Sequence, residues 1–304
     1  KLTHQFLVVS NITPDDASAV IGGNERVVRP RLADAKFFYD QDRKKTLDSR
    51  VAGLDKVVYH NKLGTQGERM QRVCAIAHAI GLQMGGQALA DKAQLAARLA
   101  KTDLLTDMVG EFPELQGYMG RHYALHAGET AQVAAAIEEH YQPRFAGDVI
   151  PASRGGQLLG LADRADTLVG IFAADMRPSG NKDPFALRRG ALGMVRILLE
   201  AGLKIAPSKL LLLAADQFES QGTPINDELL ADIEVFVMER ARSYFRDTGL
   251  DAQLITAGMN EVARLIDENK VSEASTKLNG VMASLDELYR LLVNRDEQKL
   301  TPAE

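Results

Sequence analysis

Hydrophobic and polar positions change their rhythm along the chain. Gln5 to Ile12 is dense in Val, Leu, Ile and Phe and closes on Pro14-Asp15, a turn signal, which predicts a strand. Gly22-Gly23-Asn24-Glu25-Arg26 then reads as irregular chain leading into an extended Val27-Val28-Arg29-Pro30-Arg31. From Leu32 the pattern turns helical and strongly charged and ends at Asp42-Arg43-Lys44-Lys45.

From about Glu68 onward the periodicity is that of helices. Leu105, Met108, Val109 and Phe112 fall on one helix face, with a break predicted near Pro113. Gly128-Glu129-Thr130 precedes an Ala-rich helix over Ala131 to Tyr141, which Pro143 stops. Leu158 to Phe172 forms an apolar helix interrupted by Asp163 and Asp166. Asp183 is placed to cap a helix with Pro184 at its first position, running from Phe185 to Ala201 and ended by Gly202 in the left-handed conformation. A further helix starts near Asn226 with Leu229, Ile233, Phe236 and Val237 on one face, and a last stripe joins Leu278, Val281, Met282, Leu285 and Leu292. No repeat of 20–50 residues is present. The pattern predicts a mainly α protein with a short β-containing entry.

Composition sharpens this picture. With 304 residues, 45% hydrophobic and 25% charged, the chain has the balance of a soluble globular protein of roughly two domains. No apolar run of about 18 residues marks a membrane span, and no secretory signal is present, so a cytoplasmic setting without a membrane is expected. The single cysteine, Cys74, excludes an intramolecular disulfide and sits on an apolar helical stretch, as a core residue rather than a nucleophile would. The chain begins at Lys1 and runs at once into Phe6-Leu7-Val8-Val9, which reads as a piece of a longer polypeptide. A net charge of −5 argues against a nucleic-acid partner, because phosphate binding rests on a surplus of cations. That average hides a basic segment: from Ile21 to Arg50, eight Lys/Arg face five Asp/Glu, leaving +3.

His122 and His126 have the four-residue spacing of a helical zinc pair, but Tyr123 stands where the glutamate base would follow, and Gly117, Gly120 and Gly128 argue against a continuous helix there. They read as surface or loop histidines, and His78 as a satisfied core or boundary residue. Asp163 and Asp166 share a helix face and have the form of a metal or acid–base pair, with an ion pair to the flanking Arg164 as the simpler account. Gly155-Gly156 and Gly160 lack phosphate-loop or dinucleotide spacing, and no serine elbow occurs. What remains is basic clustering: Arg26, Arg29 and Arg31 on the extended segment, and Arg188 and Arg189 near a helix start, where guanidinium groups fork onto phosphates. A solvated charged face is the plainer account of the same residues.

Gly23-Asn24-Glu25-Arg26-Val27-Val28-Arg29-Pro30-Arg31-Leu32-Ala33-Asp34-Ala35-Lys36-Phe37-Phe38, closing on Asp42-Arg43-Lys44-Lys45, resembles the β subunit of bacterial heterotetrameric glycyl-tRNA synthetase. Gln116 to Gly120, Tyr141 to Asp148, Leu161 to Leu168 and Asp183 to Gly193 fit the same family. The resemblance implies a central portion of that subunit: a β-containing or linker segment over 1–67, an HD-like helical domain over 68–204, and a helical region over 205–304 as a truncated anticodon-binding region. It implies partners, namely tRNA(Gly) and the α subunit, in an assembly of two α and two β chains. It also implies that ATP is used by the holoenzyme, that glycylation belongs to the α subunit, and that this chain binds no cofactor or metal and holds no catalytic residue. Arg26, Arg29, Arg31, Lys44, Lys45, Arg188 and Arg189 are then the residues expected to touch tRNA or the α subunit. An HD-type phosphohydrolase would instead recruit His78, His122, His126, Asp163 and Asp166, yet no His-Asp dipeptide occurs in the chain. A purely structural helical scaffold is the third reading.

Overall fold

The protein is described by a computed structural model covering residues 5–11 and 13–247. The predicted stripe from Leu278 to Leu292 lies outside the described residues. Ten helices dominate the described chain: α1 (Ala17–Asp42), α2 (Gln66–Gly85), α3 (Gln87–Leu99), α4 (Asp107–Glu111), α5 (Tyr118–His126), α6 (Ala131–Glu139), α7 (Arg154–Ala173), α8 (Leu187–Glu200), α9 (Pro207–Ser220) and α10 (Asp227–Asp247). A two-stranded antiparallel ribbon, β1 (Val58–His60) and β2 (Gly64–Thr65), sits between α1 and α2. The mainly α class is as the pattern predicts.

The entry differs from expectation. Residues 5–11 form no strand and no helix, and Leu7 and Val9 are almost fully exposed. Residues 22–31, expected to be irregular and then extended, lie inside α1. Asp16 caps that helix, its carboxylate accepting from the backbone N–H and hydroxyl of Ser18. Pro30 removes one N–H from the helix interior without ending it. Most side chains of α1 are exposed and only Asp42 is buried, so its first half carries no buried stripe to mark it as a helix; the helical pattern expected from Leu32 is its second half.

The core is built around α7. From Gly156 to Phe172 nearly every residue is buried, and α2, α6, α8 and α9 pack around it. Such a helix is largely apolar all round because it has almost no solvent face, and the charges it carries, Asp163, Arg164 and Asp166, are partnered inside. Its glycines allow close approach: a Cβ on Gly170 would stand 2.6 Å from the Phe218 ring of α9. Gly81 on α2 plays the same part against α3, where a Cβ would meet the Ala90 backbone at 2.5 Å. One buried hydrophobic cluster runs from Leu47 to Phe245. Cys74 belongs to it, and burial pushes its thiol up to about 12, so it is a core residue.

Helix ends follow their local chemistry. Thr65 and Glu68 form a reciprocal capping box at the start of α2. Gly202 ends α8 with φ at 60°, as expected. The start of α8 lies two residues later than expected, because Ala186 turns through the left-handed region (φ 53°). Asp183 still caps it, reaching over the turn to accept the N–H groups of Leu187 at 2.8 Å and Arg188 at 3.0 Å.

Candidate nucleic-acid interface

The end of α1 is fixed by a buried carboxylate. Asp42 accepts the backbone N–H groups of Asp107 (2.9 Å) and Met108 (3.0 Å) at the start of α4, and the Tyr123 hydroxyl at 2.8 Å. Arg50 adds an ion pair at 3.4 Å. A negative charge at the first N–H groups of a helix is favourable, so this contact locks α1 to the body through α4 and α5. Arg26 and Arg29, one turn apart on α1, are both exposed, and among the described residues nothing pairs with their guanidinium groups. They therefore project from a helix and not from an extended ribbon. Arg31 is engaged: its Nη2 meets Glu111 at 2.9 Å, and its guanidinium lies over the Phe112 ring. Lys44 donates to the Gln41 side chain at 2.8 Å, and Lys45 is exposed.

The second basic point stands elsewhere. Arg188 donates to the Gly180 carbonyl at 2.9 Å, and Arg189 is exposed beside it. Neither guanidinium pairs with Asp183, whose carboxylate is spent on backbone N–H groups. With α1 packed on α4 and α8 packed on α7 and α10, the seven predicted cations fall into two groups on different elements.

Asp163 and Asp166 are neutralised, though not by Arg164. Asp166, fully buried, receives Arg69 Nε at 3.1 Å and Arg72 Nε at 2.6 Å. Asp163 receives Arg69 Nη2 at 3.1 Å and Lys101 Nζ at 3.5 Å. Burial opposes the charge on Asp163, but Arg69 and Lys101 outweigh it and hold the carboxyl well below the usual carboxylate range. Arg164 instead donates to the carbonyls of His140, Gly160 and Gln142, pinning the loop after α6.

Lys101 and His140 complete this buried cluster. Lys101 Nζ lies 2.8 Å from His140 Nε2, and His140 Nδ1 lies 2.7 Å from the Ile137 carbonyl. A neutral imidazole protonated on Nδ1 satisfies both contacts, with the ammonium donating to Nε2. Burial, followed by the charge of Lys101, lowers the His140 pKa well below its usual value, and burial brings Lys101 down to about 8. The hydrolase reading required His78, His122 and His126 near these carboxylates, and the fold does not bring them there. His78 is half-buried against Gln87, His122 packs on the Tyr118 ring, and His126 contacts Arg43. His122 and His126 do share a regular helix, α5, despite the flanking glycines. The positions where Asp163 and His140 converge hold an ammonium group, so this constellation is a structural charge network.

Sequence reading missed Lys101, His140, Tyr141 and Arg144 as a group. Their partners lie far away in the chain, and only the Tyr141 to Asp148 motif drew attention to part of it. Arg144 is exposed; its Nη2 reaches the Gln116 carbonyl at a long 3.4 Å, and its guanidinium leans on the Tyr141 ring. A pocket of about 360 Å³ opens here, with Tyr141, Arg144, Asp163, Phe185 and Arg189 on its walls.

The family model described as "Glycyl-tRNA synthetase beta subunit" matches residues 1–260. The glycine–tRNA ligase beta subunit of Dechloromonas aromatica is 61% identical over 262 residues, covering 86% of this chain and 36% of that protein. Its counterpart in Thiobacillus denitrificans is 60% identical over 257 residues, covering 84% of this chain and 36% of that protein. That of Delftia acidovorans is 58% identical over 277 residues, covering 90% and 38%. The chain thus spans a little over a third of the length of these relatives. A match over most of its residues, at this identity, means that the chain belongs to the glycyl-tRNA synthetase beta subunit family.

Proposed function

We propose that this chain is part of the β subunit of a glycine–tRNA ligase. In this reading it binds and positions tRNA(Gly) while the α subunit carries out ATP-dependent glycylation. The observation that carries the reading is family membership across residues 1–260. The distribution of cations supports it. Arg69, Arg72 and Arg164 are tied into the interior, whereas Arg26, Arg29, Lys45 and Arg189 stand exposed on an otherwise acidic body. A few exposed cations suffice for phosphate contacts, which give affinity and register without reading bases.

The pairs that Arg31 and Lys44 make are surface contacts of low strength and exchange readily for a phosphate oxygen. In the same reading residues 68–204 are an HD-like helical domain that serves as a scaffold, without catalytic residues of its own. The assembly has two α and two β chains, acts in the cytoplasm and takes its ATP at the α subunit. No described helix is long and apolar enough to cross a membrane. The test is a titration of the chain with tRNA(Gly) and with a non-cognate tRNA, each with and without the α subunit. The reading expects tighter binding of tRNA(Gly) in the presence of the α subunit. Equal and weak binding of both tRNAs under all conditions would favour a scaffold that touches only protein.

A further inference from the structure

The pocket beside Tyr141 has the makings of a ligand site. Two exposed guanidinium groups, Arg144 and Arg189, stand on its walls, and among the described residues neither is paired with a carboxylate. Arg164 lies behind them, its donors spent on backbone carbonyls, and contributes charge rather than hydrogen bonds. Burial lowers the Arg164 pKa to about 10, so it remains a cation at neutral pH. The one carboxylate on the lining, Asp163, is neutralised from behind by Arg69 and Lys101. The pocket is therefore electropositive inside a chain of net charge −5.

Two further features point to a ligand. Ala186, on the same lining, has a φ of 53°, a conformation that non-glycine residues adopt with strain and that collects at ligand sites. Phe185 offers an aromatic ring beside the cations, whereas the Tyr141 ring is covered by Lys101 and His140. A volume of about 360 Å³ lies at the small end of ligand pockets and suits one mononucleotide unit.

We propose that this pocket binds the phosphate group of a nucleotide, with Arg144 and Arg189 forking onto the phosphate oxygens and the base lying against the Phe185 ring. Guanidinium pairs match phosphate oxygens two at a time, and a flat ring beside them distinguishes a nucleotide from a simple anion. A carboxylate side chain would engage one of the two arginines and leave the ring unused. The pocket would do this whether or not tRNA is held by α1, so the proposal stands apart from the tRNA-positioning reading. The phosphate can come from a free nucleotide or from an RNA chain.

Calorimetric titration of the chain with AMP, adenosine, inorganic phosphate and a single-stranded tetranucleotide RNA separates these cases. AMP is expected to bind at least tenfold tighter than adenosine or phosphate. Arg144→Ala with Arg189→Ala should weaken it tenfold or more, whereas Arg26→Ala with Arg29→Ala should leave it unchanged. Binding of the tetranucleotide but not of AMP, with the same dependence on both arginines, assigns the phosphate to RNA and supports the site. Binding of no phosphate-bearing probe, or binding indifferent to both arginines in folded variants, overturns the proposal. Retention of tRNA by the α–β assembly in that second case would leave the tRNA reading standing and remove only the pocket.

Discussion

Asp166 shows how a charge is kept inside this protein. It is fully buried between Arg69 and Arg72, and its partners lie 97 and 94 residues away in the chain. That separation is why the sequence could offer only the neighbouring Arg164 as its counter-ion. Breaking such a pair strands buried cations, so Asp166→Asn should cost about 3–5 kcal/mol in urea unfolding. Glu234 on α10 gives the opposite case. Burial pushes its carboxyl up to about 7, so between about 4.5 and 7 the folded state holds a proton that the unfolded chain has lost. Stability from this group is therefore present at low pH and lost as pH rises through 7. Glu234→Gln should raise stability at pH 8 by on the order of 2 kcal/mol and leave it almost unchanged at pH 4. Lys101 adds a rise on the alkaline side. Its folded pKa of about 8 lies below the ordinary lysine value of 10.5, so stability should increase between those two pH values.

At the scale of elements, legibility followed burial. The helices over 131–139, 154–173 and 227–247 were visible because apolar periodicity or an unbroken apolar run marks a helix that packs. The Gly202 stop was legible for a local reason, since a left-handed C-terminal residue favours glycine whatever the tertiary context. Only the second half of helix α1, from Leu32, was legible: Gly22-Gly23 and Pro30 in its first half mimic loop chemistry, and an exposed helix carries no stripe to contradict them. The predicted extended arginine segment is consequently a helix that presents Arg26 and Arg29 one turn apart. The α2–α3 junction makes a test of packing at this scale. Gly81→Val puts a branched side chain where a single Cβ would already stand 2.5 Å from the Ala90 backbone. It should destabilise the fold by about 3 kcal/mol in thermal or urea unfolding, well beyond what valine's helix propensity alone would cost.

For the whole molecule, net charge alone does not decide for or against a nucleic-acid partner, because it averages unlike regions. A chain of net charge −5 carries a basic segment, and the fold sorts its cations into a buried structural set and an exposed set. Family membership, carried by motifs such as Tyr141 to Asp148 and Asp183 to Gly193, was legible directly. The division of labour among the arginines was not, because it depends on which carbonyls and carboxylates the fold places within reach. The central claim is that the exposed cations around α1 hold RNA phosphates. The measurement that tests it most directly is the salt dependence of tRNA(Gly) binding by the β subunit assembled with its α subunit. It should be run with and without alanine at Arg26, Arg29, Lys44 and Lys45, with folding checked by circular dichroism. Each lost phosphate contact should lower the slope of log K against log salt by about 0.7–0.9, so the quadruple variant should show weaker binding and a slope reduced by about 3. Unchanged affinity and slope in a correctly folded assembly would contradict the account.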